Sequence, residues 1–194
     1  MNCVSEIAKS IGMDCNAPIV SGYTGRGVLI PYSANPKITQ KSDNPRIIED
    51  ITFTNESTKV CAIDNEGTSP FDGTNVASNG DAGFVQFSKT LTMRIPMRGG
   101  AVSMDIVEPL VKSGQGFIAV LEKKDKVGDG SYEVFGALQP LKANPDGITR
   151  NESENGGAIM ANMSCVEQWF EVTLFATDFA TTKEKFEKLL SMAY

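Results

Sequence analysis

The sequence predicts a mainly β fold of the α+β class, a β-sandwich or half-barrel with a short central helix and a C-terminal helix packed on it. Three patterns predict this: one long alternation of apolar and polar residues, two apolar runs joined by a polar tip, and one amphipathic stripe near the C-terminus. The chain has 194 residues, 41% hydrophobic and 22% charged. This balance indicates a single globular domain over residues 1–194.

The longest alternation lies between residues 83 and 97, and it predicts a strand with one buried face. Because successive side chains of a strand point to opposite sides, the two sets separate cleanly. Lys89 interrupts the apolar set. The residues expected to face the core are Val85, Phe87, Leu91, Met93 and Ile95. Those expected to face away from it are Gln86, Ser88, Thr90, Thr92 and Arg94.

Further apolar runs predict the remaining strands. Phe117–Leu121 and Tyr132–Leu138 flank a polar tip with two glycines and should pair as a hairpin. Ile159–Val166 and Trp169–Ala176 have no turn residues between them, so we expect one long strand with a bulge near Val166. Weaker strands are expected over Val28–Tyr32 and Ile47–Phe53.

Three segments have helical spacing. Val4–Ile11 predicts a helix within an N-terminal helical segment, residues 1–20. Ile106–Ser113 predicts a short central helix capped by Asp105. Thr182–Ala193 predicts the C-terminal helix, with Thr181 and Glu184 as a capping box. We expect its apolar stripe to dock onto a sheet, with an oligomer contact as the alternative. The stripe consists of Phe186, Leu189, Leu190 and Ala193.

Two long polar loops are expected over residues 64–83 and 144–157, both rich in Asn, Asp, Ser and Gly. The first contains four acidic residues that could ligate calcium, but Asp64-Asn65-Glu66-Gly67 reaches glycine too early for an EF-hand. A solvated loop is therefore expected, and no metal site is predicted. Because these loops hold few apolar residues, we expect them to order only on assembly.

Composition excludes several classes of function. The chain has no histidine, which excludes Ser-His-Asp and Cys-His hydrolases and His-ligated zinc sites. The formal net charge of −6 argues against a basic nucleic-acid-binding domain. The four cysteines form no CxxC motif, so free thiols are expected. The N-terminus has no secretory signal pattern, and no apolar run is long enough for a membrane helix.

Two motifs were candidates for chemistry. Gly22–Gly27 has three glycines, but it lacks the phosphate-binding spacings, and a turn before a strand is expected there. Glu167 and Glu171 flank Trp169, which would suit a sugar-stacking ring between two acids if all three shared one strand face. A lone Trp between glutamates is more typical of an edge or an interface. We therefore predict no enzyme activity, no catalytic residues and no cofactor.

The order of elements resembles that of tail-tube-like structural proteins of tailed bacteriophages and of prophages in gut Bacteroidetes. The resemblance covers most of the chain, although each of its elements is generic. It is carried by Cys3–Cys15 with Pro18–Gly22, the strand Gly83–Met97, the helix Asp105–Ser113, Gly116–Glu122, Tyr132–Leu138, Gly156–Ile159 and Glu171–Leu174.

The resemblance implies a self-assembling virion protein. Six copies would close a ring, and rings would stack into a tube through which DNA passes without specific binding. An acidic lumen wall would repel the phosphates, and the polar set from Gln86 to Arg94 would face that lumen or solvent. The implied partners are further copies and other phage tail proteins, with no membrane. The implied location is the virion, and the bacterial host cytoplasm during assembly. Such proteins usually carry an arm that reaches the next ring, and no loop of this chain is assigned to that role.

Two other hypotheses compete. The first is a monomeric surface- or carbohydrate-binding β-domain, with calcium held within Asp64–Asp81. The second, ranked last, is an enzyme that works without histidine. The mass of the particle in solution separates self-assembly from a monomeric binding domain.

Overall fold

The structure is a computed structural model that describes residues 20, 22–55, 57–64, 86–95, 100–126, 128–150 and 157–194. Several expectations fall outside these residues. They are the Val4–Ile11 helix with nearly all of the N-terminal segment, residues 65–83 of the first polar loop, Val85, and residues 151–156 of the second loop.

Ten strands and three α-helices are present among the described residues. The strands are β1 Tyr23–Pro31, β2 Pro36–Gln40, β3 Ile47–Phe53, β4 Cys61–Asp64, β5 Phe87–Ile95, β6 Phe117–Lys123, β7 Tyr132–Phe135, β8 Lys142–Thr149, β9 Ile159–Glu167 and β10 Thr173–Leu174. The α-helices are α1 Gly100–Val102, α2 Glu108–Lys112 and α3 Phe179–Ser191, with a π-helical segment Ser103–Val107 between the first two. Short 3₁₀ turns cover Tyr32–Ala34 and Gly128–Gly130.

The strands form two sheets, which confirms the predicted mainly β, sandwich-like class. The larger sheet has seven strands in the order β2-β3-β10-β7-β6-β1-β4, and the smaller has the order β5-β9-β8. All pairs are antiparallel except β10 with β3. The hairpin predicted from the two apolar runs is confirmed as β6 and β7, with Val120 opposite Val134.

The glycines of Gly22–Gly27 lie mostly inside β1, not in a turn before it, so that expectation was wrong. The pairing of β1 with β6 shifts register between Tyr23 and Gly27, and Gly25 has a φ of 94°. A Cβ on Gly27 would come within 2.7 Å of a methyl carbon of Leu121. The glycines therefore permit a bulge and a close approach of two strands.

The alternation in β5 places one set of side chains between the two sheets. Leu91, Met93 and Ile95 are buried there and pack with residues of β1, β6, β7 and β9. Phe87 is only half-buried and contacts Phe170 edge-on at 5.9 Å between ring centroids. Lys89 is fully buried on this same inner side.

The opposite face of the larger sheet packs against α3. Phe186 and Leu189 are buried in a cluster with β1, β3, β6, β7 and β10, so the predicted docking of the C-terminal stripe is confirmed. The predicted capping box was wrong, because α3 begins earlier and Asp178 caps it by accepting from the Thr181 amide at 2.8 Å. Ala193 lies beyond the helix and bridges to Val60.

Other expectations also require correction. The long strand over Ile159–Ala176 is two strands, because the chain leaves the smaller sheet after Glu167 and enters the larger one at Thr173. No hairpin turn is needed for this crossing, which explains the missing turn residues.

Part of the second polar loop is the strand β8, whose register with β9 shifts between Ala143 and Ile148. The turn-forming residues of β8 lie at this register shift. The central helical region begins at Gly100, and Asp105 lies within its π-helical segment, not at a cap.

Candidate functional site

The polar set of β5 lies on the side of the smaller sheet that faces away from the core. We call this side the outer face. Ser88, Thr90, Thr92 and Arg94 are half-buried, and so is Gln86, which precedes the strand. Residues of β9 and β8 lie beside this polar set in the register of the smaller sheet. These neighbours are Met160, Asn162, Ser164, Val166, Lys142 and Thr149.

Hydroxyl and amide groups dominate the outer face. The Thr92 hydroxyl donates to the Asn162 side-chain oxygen at 2.8 Å, across a directly opposed pair. Arg94 and Lys142 are cations, whereas none of the positions paired in register on this face carries a carboxylate. The paired positions of the outer face therefore carry mostly uncharged groups, and the placement of this face toward a lumen or toward solvent stays a prediction.

An apolar groove of about 950 Å³ lies beside β4, and we call it the β4 groove. Its walls come from β4, the helical region and the C-terminal residues, including Cys61, Ala62, Met104, Pro109 and Tyr194. Met104 is 62% exposed and Tyr194 93% exposed. Large apolar side chains that are exposed together often mark a surface that binds a partner.

The strand beside this groove is an edge of the larger sheet. Among the described residues, β4 pairs with β1 and with no other strand, and β2 at the opposite edge pairs only with β3. The C-terminal residues begin to cover the β4 edge, since the Val60 amide donates to the Met192 carbonyl at 3.2 Å. From Cys61 onward, no described strand lies on the side of β4 that faces away from β1.

A network of charges lies at the Tyr23 end of β1, and its members satisfy one another. Tyr23 donates to the buried Glu133 at 2.7 Å, and burial, followed by the charge of Glu133, raises the pKa of this phenol. Lys123 contacts both Glu133 and Glu171. These pairs connect β1, β6 and β7 with the segment that precedes β10.

A second part of the network links β1 to α3. Arg26 binds Glu187 at 2.8 Å and approaches the buried Glu122 to 3.6 Å. The hydrogen bond from Arg26 lowers the pKa of Glu187. Helix α3 and the larger sheet are therefore joined by an ion pair as well as by the apolar cluster beneath α3.

The two glutamates that flank Trp169 do not share a face. Glu167 points into the core and is fully buried with Lys89, whereas Glu171 pairs with Lys123 and is half-exposed. Trp169 is half-buried and packs against the cluster under α3. The expected arrangement of an indole between two acids on one strand was wrong, because the chain is bent, not extended, from Gln168 to Phe170.

Within the described residues, no cluster of three or more Cys, Asp or Glu side chains could hold a metal ion. Cys61 and Cys165 are free thiols, and Cys165 is buried. None of the described helices is both long and apolar enough to cross a membrane. The chain matches no protein-family model, no curated protein and no solved structure.

Sequence reasoning missed both β4 and its groove. The run Cys61-Ala62-Ile63 is too short to predict a strand by periodicity, and the groove is assembled from segments far apart in the chain. The one usable signal was Lys89, since a lysine inside an apolar alternation predicts a buried partner of opposite charge. Glu167 could not be chosen as that partner without the register.

Proposed function

We propose that this chain is a non-enzymatic structural protein that assembles with copies of itself into rings, and that the rings stack as the DNA-conducting tube of a phage tail. The observation that supports it best is that β4 lies at an edge of the larger sheet among the described strands, beside an exposed apolar groove. The likeness in element order to tail-tube-like proteins supplies the phage context.

The two edges of the larger sheet differ in a way that favours head-to-tail contact. β2 carries Pro36 and Lys37, residues that discourage the addition of another strand. β4 has neither proline nor lysine, so its backbone groups can accept a strand from a neighbouring copy. A contact between two different surfaces forms a closed ring when the rotation between subunits closes.

The β4 groove would give this contact its affinity. A strand added to β4 would cover part of the groove and remove Met104 and Tyr194 from water. Burying apolar area is worth about 25 cal/mol per Å², so a few hundred Å² gives several kcal/mol before the costs of association.

The outer face has a different role in this proposal. Its exposed cation, Lys142, would attract DNA phosphates if it lined a narrow channel. We therefore assign the outer face to solvent or to a contact with an acidic surface of another subunit, and we assign the lumen to a more acidic part of the chain.

The test is the particle mass of the purified protein, measured by light scattering after size exclusion, together with negative-stain imaging. We expect rings or stacked tubes that form more readily as the protein concentration rises. Ala62→Lys places a charge on the β4 edge and should leave a folded monomer. Ala180→Lys, at an exposed position of α3, is the matched control and should assemble normally.

A wild-type protein that stays monomeric over the full concentration range would refute the proposal. Binding of that monomer to a glycan array would instead support a surface- or carbohydrate-binding β-domain. Equal assembly of both variants would show that β4 is not the contact.

A further inference from the structure

The core between the two sheets contains one lysine and one carboxylate in contact. Lys89 and Glu167 both have side chains with 0% exposure, and Nζ lies 2.5 Å from Oε2. In the register of β5 and β9, Lys89 is opposite Cys165 and Glu167 is opposite Phe87. The pair is therefore diagonal on the inner side of the smaller sheet.

The surroundings of this pair are apolar. Nζ lies 5.5 Å from the centroid of the Phe135 ring, and Leu91 and Met163 belong to the same buried cluster. Neither Nζ nor Oε2 has a hydrogen bond of good geometry within the described part of the chain. The two atoms are thus close together without the further donors and acceptors that usually accompany a buried ion pair.

The other oxygen of Glu167 is held differently. Oε1 accepts from the backbone amides of Gly136 and Ala137, at 3.0 and 3.2 Å. Gly136 has a φ of 78°, and a Cβ there would lie 2.6 Å from the Phe117 carbonyl oxygen. Only glycine fits this turn, which aims two N–H groups at one oxygen, the arrangement that stabilises an oxyanion during acyl transfer.

We propose that Lys89 and Glu167 join in an intramolecular amide bond, formed by the folded protein itself. The amine, the carboxyl group and the two N–H donors are held together by the fold, so the reaction is intramolecular and water is excluded. The product is neutral, so it also removes two charges from an apolar core. This inference does not rest on the proposed assembly.

The step balances without any other reactant. The Lys89 ammonium passes one proton to Oε2, and the freed lone pair on Nζ attacks Cδ of Glu167. The electron pair of the C=O bond moves onto Oε1, where the Gly136 and Ala137 amides hold the negative charge. Nζ then loses a second proton to Oε2, the Cδ–Oε2 bond breaks, and water leaves. The remaining Nζ–Cδ amide keeps one N–H.

The bond would tie β5 to β9 across a long stretch of chain. A link of this kind restricts the unfolded chain, as a disulfide does, but it resists reduction. The surface pair Lys123 and Glu171 makes a similar contact at partly exposed positions. Solvent there stabilises the charged forms, and no pair of backbone amides is found on that carboxylate among the described hydrogen bonds, so it should not react.

The test is the intact mass of the reduced, denatured protein. We expect a mass one water molecule below that of the sequence, and a Lys89→Met variant without this loss. Trypsin should yield one branched peptide that joins residues 60–94, uncut at Lys89, to residues 151–183. A Glu171→Gln variant is the control and should keep the water loss.

The full sequence mass in the wild type, with separate linear peptides, would overturn the proposal. This result does not depend on whether the Lys89→Met variant folds. Persistence of the water loss in a soluble Lys89→Met variant would also overturn it, since another pair would then be responsible.

Discussion

Leu91→Ala tests whether β5 presents its apolar set to the core. Leu91 is 1% exposed and lies directly opposite Met163, which is 0% exposed. Truncation removes nearly all of a buried side chain and leaves a cavity between the two sheets. The matched variant is Thr90→Val, one residue away on the outer face, which keeps β-branching and nearly the same volume.

The magnitude follows from the burial. Buried Leu→Ala changes cost about 2–5 kcal/mol, depending on how well the site collapses. Two flexible neighbours, Met93 and Met163, can move into part of the space, so we expect a loss of about 3 kcal/mol. Thr90→Val should stay within about 0.5 kcal/mol, as is usual for changes away from the core.

Urea unfolding followed by fluorescence or circular dichroism measures both variants. With a slope of about 2 kcal/mol per M, a loss of about 3 kcal/mol lowers the midpoint by about 1.5 M. Leu91→Asp should leave no soluble folded protein, because an unpaired charge would be buried. A normal Leu91→Ala midpoint together with a strongly destabilised Thr90→Val would show that the faces of β5 are reversed.

The hydrogen bond from the Thr181 amide lowers the pKa of Asp178 in the folded protein. The Asp178 carboxylate therefore stabilises α3 fully above the pKa that this group has in the unfolded chain. This stabilisation is lost as the pH falls through the lower pKa of the folded state. Asp178→Asn can still cap the helix but should show a smaller acid-induced fall in Tm than the wild type, whereas an equal fall would contradict this assignment. Burial raises the pKa of Cys165 to about 12. We therefore expect iodoacetamide to label this thiol only after unfolding, as measured by peptide mass mapping. Rapid labelling of the native protein would contradict the buried position of Cys165.

Several features of the fold could be predicted from sequence because they depend on local periodicity. The alternation of β5, the β6–β7 hairpin and the apolar stripe of α3 each bury one face, and a single segment is enough to reveal which face it is. The wrong predictions concern boundaries and connections. Asp178 replaced the expected cap, and the expected long strand proved to be two strands in different sheets.

The candidate surfaces were less accessible to sequence reasoning. The polar set of β5 could be chosen by alternation, but its charge balance depends on Lys142, which the register with β9 brings onto the outer face. The β4 groove is built from segments that are distant in the chain, so no local pattern could indicate it. The same holds for the edge position of β4 among the described strands, since an edge depends on which strands lie beside it.

The sequence by itself determined which face of β5 and of α3 packs against the core, because hydrophobic burial follows from residue type and the period of the local structure. It also determined that any chemistry here proceeds without histidine. Only the tertiary structure decided which buried groups meet. Lys89 had to have a partner, but Glu167 and the two amides behind it came from strands far along the chain. Such contacts depend on register and on the crossing between sheets, and these are set by the packing of the whole core.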